Sequence, residues 1–132
     1  LCLAAKRGVD IKIVTPGIPD KKLVFLLTQS YYKQLVEAGI HIYEYTPGFI
    51  HAKCFASDDK VATVGTINMD YRSLYLHFEN GVFMYKNDAV MQLKHDMEKT
   101  FEISQRITKE MCQGSLRKTL TQSVLRLLAP LL

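Results

Sequence analysis

Two runs of β-branched and aromatic residues, Val9 to Val14 and Ile40 to Tyr45, flank a stretch whose apolar residues recur at helical spacing, and this alternation constrains the fold more than any other feature. Leu23, Leu27, Tyr31 and Leu35 form the helical stripe, Asp20 stands where a capping residue is wanted, and Gly39 supplies the stop. Leu1 to Arg7 ends at Gly8 in the same way, and Pro16-Gly17 closes the first strand. Downstream the pattern changes to hairpin-like pairs. His51 to Ala56 and Val61 to Val64 are predicted strands joined by a tight Asp58-Asp59-Lys60 turn, and Phe78 to Tyr85 is a fifth strand. The segment Asn68 to Leu74 reads as irregular or briefly helical. Asn87 or Asp88 caps a helix carrying Val90, Leu93, Met97 and Phe101 on one face, and an amphipathic stretch from Ser115 to Leu128 ends at Pro130. The expected class is α/β: a mixed β-sheet flanked by α-helices.

The bulk properties set limits around that reading. At 132 residues with 48% hydrophobic and 23% charged content, the chain has one domain's length, 1–132, and is neither disordered nor collagenous. Three cysteines at wide spacing, with no CxxC, speak for reduced thiols over a disulfide framework. The net charge of +4 suits an anionic partner, a phospholipid surface or a nucleic acid, without choosing between them. No apolar run is long enough to cross a bilayer. The first residue is Leu1, and Leu1 to Ala5 reads as the end of a helix, so a preceding partner segment is expected.

The chemistry-bearing residues lie at 51–68. In a strand, side chains two apart share a face, which predicts that His51 and Lys53 project together. The Asp58-Asp59 turn folds the chain back and returns Thr66 and Asn68 towards the same end, with Gly65 permitting close approach. An imidazole attacks phosphorus or moves a proton near neutral pH, and an ammonium and a carboxamide stabilise charge on non-bridging phosphate oxygens. The set His51, Lys53, Asp58, Thr66 and Asn68 therefore suits a phosphodiester, with Lys53, Thr66 and Asn68 as phosphate donors. A surface strand ending in His-x-Lys is the plain alternative, and the further residues at fixed offsets weigh against it. Metal binding is disfavoured, because the Lys53 ammonium repels a cation and no HExxH or CxxC partner occurs.

These residues match, without a gap, the HxKx4Dx6G[ST]xN signature of the phospholipase D superfamily through His51, Lys53, Asp58, Gly65, Thr66 and Asn68. The flanks resemble bacterial cardiolipin synthases more narrowly. Gly39 to Tyr45 resembles their "aGv.IyeY", Phe49 to Lys53 their "pgFlHaK", Asn68 to Leu74 their "NlDxRSl", and Leu128 to Leu132 their "LsPLL". The chain departs where His77 replaces the family's usual Asn before Phe78 and Glu79. The resemblance implies a phospholipase D-like half-domain, the C-terminal half of a two-domain enzyme, with Glu79 orienting the catalytic imidazole and Arg72 and Ser73 beneath the site. It implies phosphatidyl transfer through a phosphohistidine, two phosphatidylglycerols giving cardiolipin and glycerol, with no metal or other cofactor. The implied partners are phosphatidylglycerol, a membrane surface, and a second HxK half-site from the N-terminal half or another copy. The implied place is the bacterial plasma membrane, with the catalytic domain outside the bilayer on the cytoplasmic side.

On that basis His51 is the acid/base partner and the isolated chain turns over negligibly. Two rivals stand beside this reading. One is a phosphodiesterase acting on nucleic acid, weakened because Tyr43, Tyr45 and Phe49 do not alternate with basic residues. The other is a non-catalytic half-domain kept for lipid binding, against which the intact His51, Lys53 and Asn68 speak.

Overall fold

A computed structural model describes residues 1–113, 116–127 and 129. The chain forms two compact units, 1–50 with 103–132, and 51–102.

In the first unit, two helices run into two strands through the same device. Helix α1 (Cys2–Lys6) ends at Gly8 and α2 (Lys22–Glu37) at Gly39, both with φ near +95°. Gly8 N–H donates to Ala5 and Val9 N–H to Ala4; Gly39 N–H donates to Val36 and Ile40 N–H to Leu35. These paired bonds close the last helical turn and need a residue with φ > 0, which glycine supplies without a Cβ clash. The chain then enters β1 (Lys12–Pro16) and β2 (His41–Tyr45). These strands pair in parallel with Lys12 opposite His41 and Pro16 opposite Tyr45.

A strand that sequence reasoning missed, β6 (Gln105–Arg106), adds antiparallel to β2 and makes this sheet mixed. Its two residues are too short for any periodicity to register. Ile40, Ile42, Ile107 and Tyr32 are buried at the centre, with Ile11, Ile13, Leu35 and Val36 packed around them. Ile42 is wholly buried, so Ile42→Ala should cost about 2–5 kcal/mol. Chemical denaturation reads this directly, and a loss under 1 kcal/mol would contradict the assigned core. Burial also pushes the Tyr32 phenol well above its ordinary range, despite its 2.7 Å hydrogen bond with Thr15. Helix α5 (Leu116–Leu127) packs on α2, where Arg126 donates to Gln34 at 2.7 Å and lies over the Tyr31 ring.

Two elements of this unit differ at their boundaries from the sequence expectation. The first strand extends to Pro16, tolerated because β1 is an edge strand. The N-cap of α2 is Lys21, not Asp20, and it makes no side-chain capping bond. Ser115, Leu128 and Pro130, the expected limits of the last helix, lie outside the described residues, as do the side chains of Leu116, Arg117 and Lys118.

The second unit is an antiparallel sheet, β3 (Cys54–Ser57), β4 (Val61–Gly65) and β5 (Gly81–Tyr85), in that order. Asp58 and Asp59 have φ of 52° and 56°, and Lys60 N–H donates to Ser57, as in the primed turns that match strand twist. Helix α4 (Asp88–Glu102) covers one face, burying Val90 against a sheet in which Ala62 is buried. Asn87 is its cap, accepting from Val90 N–H at 3.2 Å. Lys94 ties the helix to the hairpin tip through Asp59 at 2.5 Å. The short α3 (Tyr71–Tyr75) is capped by Asp70, which accepts from Ser73 N–H at 2.7 Å. The α/β class with helices flanking mixed strands holds, with the strands divided between two sheets.

Candidate active site

The candidate residues lie in the second unit, and most gather where β4 ends. Gly65 is the last paired residue of β4, opposite Gly81. Its N–H donates to the Lys53 carbonyl at 3.1 Å, one step beyond the β3–β4 ladder. That bond fixes Lys53 beside Gly65. His51 and Ala52 have no strand opposite them, so β3 begins at Cys54 and the expected strand from His51 is corrected. His51 is exposed and Lys53 half-buried. The Lys53 ammonium turns back on its own chain, donating to the His51 carbonyl at 3.1 Å. The pair is thus joined by a backbone contact, not by strand alternation.

Thr66 reaches across to the start of β5. Its N–H donates to the Asn80 carbonyl at 2.8 Å, and Asn80 N–H donates back to the Thr66 hydroxyl at 3.0 Å. This local pairing displaces Phe78 and Glu79 from the expected strand, which begins at Gly81. The Thr66 hydroxyl donates to Glu79 Oε2. A hydroxyl carries one hydrogen, and in this structure Thr66 gives it to Glu79. Asn80 was missed by sequence reasoning, although the Asn80-Gly81 pair is a recognised turn signal.

Glu79 collects the remaining polar contacts. Hydrogen bonds from Thr66 and then Ser73 hold its carboxyl below the usual carboxylate range, helped by the nearby His77 and the Lys53 ammonium. Its side chain is 14% exposed, and His77 Nδ1 lies 4.0 Å from Oε1. The other imidazole nitrogen, Nε2, is 3.2 Å from Arg72 Nη2. Arginine can only donate, so Nε2 must accept and the ring proton sits on Nδ1, facing Glu79. Arg72, His77, Glu79 and Thr66 thus form one polar chain, with the buried Ser73 beneath it. Arg72 and Ser73 both belong to this set of contacts, and His77 lies between Arg72 and Glu79.

Two expected members lie outside this polar chain. Asp58 sits in the hairpin turn, where its carboxylate accepts from the Ser57 hydroxyl at 3.1 Å. Four ladder pairs separate it from Lys53, roughly 15 Å at the rise of a strand. In this structure it forms part of the turn. Asn68 is exposed two residues past Thr66, in the irregular segment before α3. Among the described residues, no three His, Cys, Asp or Glu side chains converge as a metal-ligand set. No helix among the described residues is long and apolar enough to cross a membrane.

The depressed Glu79 pKa has a testable sign. The ionised carboxylate stabilises the folded state above the ordinary value of 4.5, and that contribution disappears as pH falls through the lower folded-state pKa. Glu79→Gln should therefore lower stability at neutral pH and flatten its decline in acid. Thermal melting against pH measures both, and identical acid limbs for the two proteins would refute the assigned contacts.

A protein-family model described as "Cardiolipin synthase, PLD-like domain" matches residues 1–102. An uncharacterised protein of Streptococcus mutans is 51% identical over the whole chain. A cardiolipin synthase of Geobacillus kaustophilus is 42% identical, and cardiolipin synthase 2 of Bacillus anthracis is 39% identical, each over the whole chain. The chain spans only 29%, 26% and 26% of these relatives' own lengths.

Proposed function

The chain belongs to the cardiolipin synthase, PLD-like domain family, and from that premise we propose that it is one catalytic half of a phosphatidyltransferase making cardiolipin. The observation that carries this reading is the cluster at the end of β4, where Lys53, Thr66 and a carboxylate held ionised by Thr66 and Ser73 gather beside the exposed His51 segment. In this proposal the chain is the C-terminal half, 1–132, of a two-domain enzyme, and a second HxK half-site completes the centre.

The reaction runs in two steps. A histidine of the other half-site attacks the phosphorus of one phosphatidylglycerol. The bond from phosphorus to the departing glycerol oxygen breaks, and His51, as imidazolium, gives that oxygen a proton. Glycerol leaves and a phosphatidyl-histidine remains. Neutral His51 then takes the proton of a hydroxyl on a second phosphatidylglycerol, whose oxygen attacks phosphorus as the phosphorus–nitrogen bond breaks. Lys53 and Asn68 donate to the non-bridging oxygens as charge develops. Glu79 orients the His51 imidazole, in the role a carboxylate plays in other histidine dyads. One imidazole cannot be nucleophile and leaving-group acid in the same step, so the isolated chain needs a partner half-site to turn over. A membrane-bound parent with this domain on the cytoplasmic side completes the proposal.

The test is a release assay on the full two-half parent, with phosphatidylglycerol vesicles and duplex DNA as separate substrates. The reading requires glycerol and cardiolipin in equal amounts from the lipid and no cleavage of the DNA. Diester hydrolysis of DNA, without glycerol release from lipid, would overturn it in favour of a nuclease.

A further inference from the structure

The first unit carries a second surface that the reaction does not use. At the C-terminal ends of the parallel strands β1 and β2, the loop 17–21 leads into α2. Its base is fixed, because Gly17 N–H donates to the Tyr45 carbonyl at 2.8 Å and a Cβ at Gly17 would lie 2.7 Å from that oxygen. Pro16 and Pro19 bracket the tip and restrict its backbone. This fixed loop and the first turn of α2 present aliphatic residues outward: Ile18 is 47% exposed, Leu23 56% and Val24 39%. Exposed Lys21 and Lys22 sit between them, with Asp20 the only acid in the segment 16–24. The whole unit is basic, with eleven Lys and Arg against five Asp and Glu, whereas unit 51–102 has six against eight.

We propose that this loop is a membrane-contact surface: Ile18, Leu23 and Val24 enter the headgroup–acyl boundary of an anionic bilayer while Lys21 and Lys22 bind its phosphates. Aliphatic side chains flanked by lysines have the composition of an interfacial insertion, where apolar burial and attraction to anionic lipid act together. A nucleic acid fits less well, since Ile, Leu and Val offer no aromatic face for a base to stack on. A second protein copy fits less well too. The three side chains expose a few hundred Å² together, well below the roughly 800 Å² per partner of a stable interface. The inference deepens the lipid-transfer reading and rests on it for the choice of a phospholipid surface, yet its test involves no turnover.

The chain contains no tryptophan, so a single introduced indole reports its own surroundings. Ile18→Trp and Leu23→Trp should each shift their emission to the blue with vesicles of phosphatidylcholine containing one third phosphatidylglycerol. Both should be quenched when the acyl chains are brominated. Tyr85→Trp, on the 57% exposed Tyr85 in the other unit, should do neither. The pair Lys21→Gln and Lys22→Gln should lower partitioning roughly thirtyfold, with circular dichroism unchanged.

The proposal is overturned if the indoles at 18 and 23 stay in water while the chain sediments with the vesicles, or if the lysine variant partitions like the parent. Concentration-dependent self-association through these positions without lipid, or binding to DNA in place of vesicles, also overturns it. The two test positions keep the proposal open to refutation should one variant misfold. Failure here with glycerol release intact would leave the catalytic reading standing. Vesicle insertion through this loop with no transfer by the full parent would remove the catalytic reading alone.

Discussion

His51→Gln in the two-half parent should lower phosphatidyl transfer by about two to four orders of magnitude, the range that a positioned general acid/base supplies. Its melting temperature should stay within a degree or two. The separation follows from where His51 sits. It is exposed, ahead of β3, so the substitution removes chemistry and leaves the packed core alone. Glutamine keeps a hydrogen-bonding side chain of similar length but neither accepts nor releases a proton near neutral pH. The assignment of acid/base duty is separately testable. A substrate whose leaving group needs no protonation should recover much of the first step in His51→Gln, and phosphohistidine should accumulate on the other half-site. Phosphate trapped on His51 of the unaltered enzyme would reverse the two histidines' duties, and full turnover in the variant would remove His51 from the mechanism.

The second large effect is structural and comes from Gly65→Ala. A Cβ at Gly65 would strike the Asn80 carbonyl and lie 2.6 Å from Gly81 Cα, both backbone. Neither can move without parting β4 from β5 at the Gly65–Gly81 pair. Overpacking of this kind costs about 3 kcal/mol. It should also pull Asn80 from Thr66 and so release Glu79. Gly81→Ala is the control: its Cβ would meet Ile67 and Val64 at 3.6 Å, ordinary contact, and should cost less than about 1 kcal/mol. Denaturant midpoints measure both, and equal losses would show that the close approach at Gly65 is not what matters.

Much of this was legible in the residues. Gly8 and Gly39 announce their helix ends because left-handed backbone demands glycine, and the rule is local. The Asp58–Asp59 turn is local in the same sense. The α2 and α4 stripes were readable because the helical period is sustained over 16 and 15 residues.

What escaped depends on distant partners. Gln105 and Arg106 become a strand only because β2 offers an open edge. His51 leaves the sheet because the β3–β4 ladder ends at the Cys54–Val64 pair, a fact of register and not of the local pattern. The Thr66 contact with Glu79 joins residues thirteen apart, which no local pattern announces. Asp58 belongs to the same signature as His51, yet spacing along the chain does not reveal that a hairpin carries it to the opposite end of the ladder.

The single bond from Gly65 N–H to the Lys53 carbonyl also sets the length of a leash. From that anchor only two peptide units lead back to His51, about 7 Å when fully stretched. The imidazole can therefore swing by side-chain rotation but cannot wander. In the proposed reaction, which asks it to release a proton and later take one from a different alcohol, such a pivot keeps both encounters within reach of the same small volume.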